Sequence, residues 1–126
     1  HAGFISLHSP ITDETRGMIN AEAIAKMKDG VRIINAARGG LINDADLAAA
    51  IQSGKVTGAA LDVFEPEPPA ADNPLIGLDG VIHTPHLAAS TSDAQVTVAV
   101  EAAQLVIDTL LHNNPQNVVN KAVLES

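Results

Sequence analysis

A regular alternation constrains this chain most. Gly3–Leu7, Val31–Ile34, Val56–Phe64 (VTGAALDVF) and Val81–Thr84 are short apolar runs rich in β-branched residues. Such runs suit strands buried on both faces. Between the first three lie segments of helical pattern. Asn20 is an N-cap for a helix over Ala21–Met27, with Ile24 and Met27 on one face and Gly30 just past its end. Asp44 is read as the cap of Ala45–Gln52, whose Leu47, Ala48 and Ile51 point inward. A stiff, donor-poor loop, Glu65-Pro66-Glu67-Pro68-Pro69, precedes the last strand. A long helix over Ser90–Leu111 follows. In it Val96, Ala99, Val100, Ala103, Val106, Ile107 and Leu110 form an apolar stripe opposite Glu101, Gln104 and Asp108, and in a partial domain such helix faces are expected to lie unpaired. Strands alternating with helices predict an α/β fold, a parallel sheet joined by right-handed crossovers with helices flanking it.

In such a sheet every strand ends on the same edge, where ligands of open α/β folds bind. Each strand end here has polar groups in an otherwise aliphatic chain. After VRII comes Asn35-Ala36-Ala37-Arg38-Gly39-Gly40. Its small residues permit close approach of backbone or ligand, and the arginine fork matches a planar carboxylate. A solvated loop arginine is the plainer alternative. The third run ends in Asp62, with Glu65 and Glu67 beyond it. A buried aspartate needs a partner, so Asp62 either caps its loop or meets a ligand's amide or positive ring. The last run leads to His83 and to His86, within Thr84-Pro85-His86-Leu87-Ala88-Ala89. A histidine there can take a proton from an alcohol, with Glu67 as the carboxylate that fixes its tautomer. It can equally be a surface or capping residue, and Glu67 mere loop solvation. Pro85 keeps the two rings of His83-x-x-His86 from one side of a helical turn, so no metal site is expected.

Composition excludes several classes. The net charge is −8, and seven basic residues are scattered along 126 positions with no Trp or Tyr. Nucleic acid is therefore not an expected partner. No cysteine is present, which rules out disulfides and is compatible with a reducing cytoplasm. No uninterrupted apolar run approaches the ~18 residues of a membrane helix, so no membrane partner is expected. The opening HAGFISLH lacks a charged n-region and a cleavage pattern. Phe4-Ile5-Ser6-Leu7 already reads as strand interior, so the chain is expected to begin within a domain.

Taken together, NAARGG with Arg38, GAALDVFEPEP with Asp62 and Glu67, and TPHLAASTSDAQ with His86 resemble the D-isomer-specific 2-hydroxyacid dehydrogenases. FISLHSPITDETRGMIN fits the same family, and the resemblance runs from Phe4 to about Asn120. It implies NAD as cofactor and a small 2-hydroxy acid as substrate. It makes Arg38 the group that binds the substrate carboxylate, His86 the general acid/base, and Glu67, the acid directly before a proline in D-V-F-x-x-E-P, its partner. It places Ser9, Ala36, Ala37, Arg38, Asp62, His86, Leu87, Ala88 and Ala89 around the nicotinamide half of the cofactor. The ending Ser90-Thr91-Ser92-Asp93-Ala94-Gln95 is similar to the branch that oxidises 3-phosphoglycerate in serine biosynthesis. Glyoxylate or hydroxypyruvate reductases are the nearest rivals, and NAD-sensing co-repressors of the same fold are the rivals from another class. The nine glycines contain no G-x-G-x-x-G. Residues 1–126 are thus expected to be the C-terminal part of a Rossmann-like NAD-binding domain, without the Gly-rich half or a substrate domain, and inactive alone. The family expectation for the full-length protein is a cytoplasmic homo-oligomer, dimer or tetramer.

Overall fold

A computed structural model describes residues 2–124. The chain divides after Ala88 into two compact units. The first is a four-stranded, wholly parallel sheet whose spatial order, β1-β2-β3-β4, follows the sequence. The strands are β1 (Phe4–Leu7), β2 (Val31–Asn35), β3 (Val56–Leu61) and β4 (Val81–His83). The helices α1 (Ala21–Ala25) and α2 (Asp44–Gln52) connect the first three, so the expected α/β alternation is present.

Residues of β2 alternate across the sheet. Val31, Ile33 and Asn35 are buried, whereas Arg32 is exposed and Ile34 half-buried. In β3, Val56, Ala59 and Leu61 are buried. The buried rows meet α1 and α2, which touch one another, and Ile33, Leu41, Leu47, Val56 and Leu75 are completely enclosed. Leu75 belongs to the irregular β3–β4 connection, which is also tied to α2, because Asn73 Nδ2 donates to Asp44 Oδ2 at 2.7 Å. This anchors the segment just beyond the Pro-rich loop. On the other rows Phe4 and Ile82 remain 64% and 71% exposed, and the Arg32 guanidinium lies 5.3 Å from the Phe4 ring centre.

Several boundaries differ from expectation for local reasons. α1 stops at Ala25 rather than Met27 because its last turn tightens. Lys26 and Met27 donate to the carbonyls of Ala23 and Ile24, three residues back. Asn43, not Asp44, caps α2. Its Oδ1 accepts from Asp46 N at 3.1 Å, while the Asp44 carboxylate serves Asn73. β3 ends at Leu61 rather than Phe64. Asp62 N still reaches Asn35 O at 2.9 Å, and the chain then turns off the ladder.

The second unit holds α3 (Ser92–His112), capped by Thr91 and stopped by Asn113 in the left-handed conformation, then a 3-10 turn over Lys121–Leu124. The apolar stripe lies uncovered, as expected of helix faces in a partial domain: no residue of α3 is buried, and Val96, Val100 and Leu110 are 64%, 65% and 76% exposed. The expectation that nothing approaches a membrane span is corrected. Although interrupted by acids, α3 is long and apolar enough to pass that test on length and composition.

Candidate active site

The loops after β2, β3 and β4 leave one edge of the sheet, and the functional candidates of the first unit sit on them. Neighbouring strands lie about 4.8 Å apart, so the β2 and β4 ends are roughly 10 Å from each other with β3 between.

The Asn35–Arg38 loop is shaped by a buried polar side chain. Asn35 Oδ1 accepts from Ala37 N at 3.1 Å, and Asn35 Nδ2 donates to Arg38 O at 2.9 Å. Both ends of the amide are used to fold the turn that presents Arg38. The exposed Arg38 guanidinium donates to Ala37 O at 2.6 Å. Replacing Asn35 with leucine keeps the volume but strands Ala37 N–H and Arg38 C=O. We expect a loss of about 1–3 kcal/mol of stability, together with a raised KM for any carboxylate ligand held by Arg38. Chemical denaturation and steady-state kinetics read the two effects.

The next residue, Gly39, makes the approach that links two loops. A Cβ there would coincide with the backbone carbonyl of Phe64. The loop holding Arg38 therefore packs directly on the start of the loop holding Glu67.

Glu67 bridges two elements. Its Oε1 accepts from Phe64 N at 3.0 Å, and its Oε2 lies 2.8 Å from His86 Nδ1. An ionised carboxylate only accepts, so Nδ1 bears a proton. The bond from His86, then that from Phe64 N–H, holds the Glu67 carboxyl below its ordinary range. His86 adopts φ 55°, the left-handed region uncommon for a side-chain-bearing residue. Asp62 keeps it there. Its carboxylate accepts from the Thr84 hydroxyl, from Leu87 N at 2.9 Å and from Ala88 N at 3.3 Å. The Thr84 hydroxyl, followed by Leu87 N–H, lowers the Asp62 pKa. Asp62 thus caps its own loop, as one of its two readings requires. Glu67 and His86 also border a cavity of about 360 Å³ whose remaining wall is largely apolar, including Phe64, Pro69 and Ile76.

Both carboxyl pKa values are depressed by folding. Their stabilisation is complete above the unfolded carboxyl range, about pH 4, and is lost as pH falls through the lower folded values. Acidification below pH ~4 is thus expected to release the 84–88 turn. Loss of the hydrogen-bonded amide shifts of Leu87 and Ala88 before those of Ile33 would record it. Simultaneous loss would contradict local control.

Residues 1–88 match the family described as D-isomer specific 2-hydroxyacid dehydrogenase, NAD binding domain. The chain belongs to this family. It is 48% identical over 121 residues to a D-3-phosphoglycerate dehydrogenase of Archaeoglobus fulgidus, covering 96% of this chain and 23% of that protein. It is 51% identical over 109 residues to a hydroxypyruvate reductase of Thermotoga maritima, covering 85% of this chain and 36% of that one. Among solved structures, a glyoxylate reductase from Paecilomyes thermophila superposes with a TM-score of 0.85 at 30% identity, covering 96% of this chain and 37% of that chain. The chain therefore spans well under half the length of these relatives, and it shares the Rossmann-like architecture of the dehydrogenase family.

Of the site residues the family resemblance selects, Glu67 and His86 are brought into direct contact, and Asp62 holds Leu87 and Ala88. Arg38 reaches the group through its loop rather than its side chain. Ala36 and Ala37 stand on the same edge, exposed and half-buried, and Ser9 is half-buried beyond β1. Ala89 lies in the second unit, where its carbonyl accepts from Gln95 Nε2 at 2.6 Å. The residues present fit the nicotinamide end of the dehydrogenase cofactor. Two alanines leave a flat edge, and Asp62 Oδ2, with one long bond, retains acceptor capacity for an amide. Sequence reasoning missed Asn35, whose only signal was an amide between a buried strand and a tight turn.

Proposed function

We propose that this chain is the catalytic C-terminal part of the NAD-binding domain of a longer dehydrogenase. That enzyme interconverts a D-2-hydroxy acid and its 2-oxo acid, and its preferred substrate is 3-phosphoglycerate, oxidised to 3-phosphohydroxypyruvate in serine biosynthesis. The observation that carries this reading is the Glu67 Oε2–His86 Nδ1 contact of 2.8 Å at the carboxyl edge of the sheet. NAD, when bound, supplies the hydride acceptor.

The chain's own residues do the rest. His86 Nε2 takes the proton of the substrate hydroxyl, and the Glu67 carboxylate stabilises the imidazolium so formed. The Arg38 fork binds the substrate carboxylate and orients the carbon that loses hydride. Ala36, Ala37, Asp62, the turn from His86 to Ala89, and Ser9 would hold the nicotinamide end. No glycine-rich pyrophosphate turn occurs in these 126 residues, so the chain serves one half of the cofactor.

The phosphoglycerate dehydrogenase of Archaeoglobus fulgidus, at 48% identity, supports the phosphorylated substrate. The hydroxypyruvate reductase of Thermotoga maritima, at 51%, supports a second reading, reduction of hydroxypyruvate. Both belong to one chemistry. The surroundings follow: a cytoplasmic homo-oligomer with neither nucleic-acid nor membrane partners. The net charge of −8 disfavours nucleic acid, and Glu101 near the middle of α3 disfavours a bilayer, where a central charge is costly.

The test is NADH-linked turnover by the complete polypeptide that contains this chain. We expect oxidation of 3-phosphoglycerate to exceed that of unphosphorylated 2-hydroxy acids, and Arg38→Ala to raise KM for the acid about 10–100-fold. Preference for hydroxypyruvate would favour the second reading. Cofactor binding with no 2-hydroxy acid turned over would overturn both, in favour of an NAD-sensing binding protein.

A further inference from the structure

The Pro-rich loop holds two acids, and only Glu67 faces His86. Glu65 turns to Arg16, with Arg16 Nη1 2.5 Å from Glu65 Oε2, joining residues 49 positions apart. Arg16 stands in a built turn after β1. Thr12 N donates to Thr15 Oγ1 at 2.8 Å, Thr15 Oγ1 donates to Pro10 O at 2.8 Å, and Arg16 N donates to Thr12 O at 2.9 Å. The turn is then stitched to the segment after Arg38. Gly17 N donates to Gly40 O at 2.7 Å, Ile19 N to Leu41 O at 3.0 Å, and Ile19 pairs with Ile42.

Gly40 makes room for the pair. Its φ is 77°, and a Cβ would fall on Glu65 Oε2 and within 3.1 Å of Arg16 Nη1. Three loops, those after β1, β2 and β3, therefore meet at one point: Arg16 from the first, Gly39 and Gly40 from the second, Phe64 and Glu65 from the third. Phe64 N is the donor to Glu67 Oε1. The meeting point is thus one hydrogen bond from Glu67 and one residue from Arg38.

We propose that the Arg16–Glu65 ion pair is a positioning clamp that fixes the Glu67–His86 pair relative to Arg38. The proposal rests on the dehydrogenase reading above. The two side chains are 54% and 48% exposed, and a pair so wet adds little to global stability. Placement is another matter, since displacement of reacting groups by about 1 Å can cost 10²-fold in rate. The clamp's signature is a loss of turnover without a loss of fold.

The experiment uses the complete polypeptide with Arg16→Ala, Glu65→Ala, their double variant, Arg16→Lys, and His86→Asn as a reference. We expect each alanine variant to lower kcat about 10-fold or more, with melting temperature and NADH affinity close to wild type. The double variant should be no worse than either single, and Arg16→Lys should restore most of the turnover. Hydrogen exchange supplies a readout independent of activity. The Phe64 amide should exchange several-fold faster in Arg16→Ala, with Ile33 unchanged. Wild-type kcat in both alanine variants, purely additive losses, or an unchanged Phe64 amide would each overturn the clamp. If His86→Asn keeps full turnover, the catalytic reading fails instead, and the Phe64 amide still decides whether Arg16 holds the loop.

Discussion

Replacing His86 with asparagine is expected to lower kcat of the complete polypeptide by about 10²–10⁴-fold while leaving its melting temperature nearly unchanged. Asparagine is the informative choice because His86 sits at φ 55°, a conformation that asparagine tolerates better than alanine. The turn is held by Asp62 through Thr84, Leu87 and Ala88, none of which the substitution touches. What disappears is the ring, with its Nε2. Glu67→Gln is a milder change in shape with a comparable consequence. A glutamine amide can donate to Nδ1, which favours the tautomer with the proton on Nε2 and leaves no base facing the hydroxyl. NADH absorbance assays beside thermal melts measure both variants. Wild-type kcat in both would end the acid/base assignment.

Gly39→Ala has the largest expected effect on the fold. The backbone at Gly39 requires no left-handed conformation, so its need for glycine is purely one of space. One methyl group would overlap the Phe64 carbonyl carbon and oxygen, which are backbone atoms and cannot rotate away. The loops after β2 and β3 must then separate. Overpacking of this kind costs about 1–3 kcal/mol. The separation also draws Arg38 away from Glu67, which adds a loss in kcat/KM of up to about 10²-fold. Gly54→Ala is a useful contrast, because φ is 77° there, a left-handed conformation that Gly39 lacks, but nothing lies within 4 Å of the added Cβ. It should show backbone strain without the kinetic loss. A Gly39→Ala enzyme with the wild-type denaturation midpoint would show that the two loops do not touch.

The order of elements was legible because it depends on local signals: β-branched runs, helical periodicity and capping residues. The α2 cap was displaced by one residue, since Asn43 and Asp44 are both good caps and only the tertiary partner Asn73 decides between them. At the site, Glu67, Asp62 and His86 could be nominated from their positions at strand ends in a parallel sheet, and the family pattern chose Glu67 over Glu65. Whether Asp62 serves its own turn depended on where residues 84–88 fold back, which no spacing encodes. The Arg16–Glu65 pair and the Gly39–Phe64 approach were illegible for the same reason. They join loops that follow different strands, and strand register alone brings them together. The α3 stripe shows the opposite limit. Its periodicity was legible, yet periodicity reports a capacity to be covered and says nothing of what does the covering.

The spatial order β1-β2-β3-β4 has one further consequence. Each strand lies beside its neighbour in sequence, and among the described residues β1 pairs with β2 alone. The outer edge of β1 therefore offers a row of backbone donors and acceptors to one more strand, while the Glu67–His86 pair lies at the ends of β3 and β4, on the opposite side of the sheet. Growth of the sheet at β1 leaves that pair undisturbed. The Glu67–His86 geometry is in this sense a portable module, which different neighbouring segments can adjoin without rebuilding the contacts that set it.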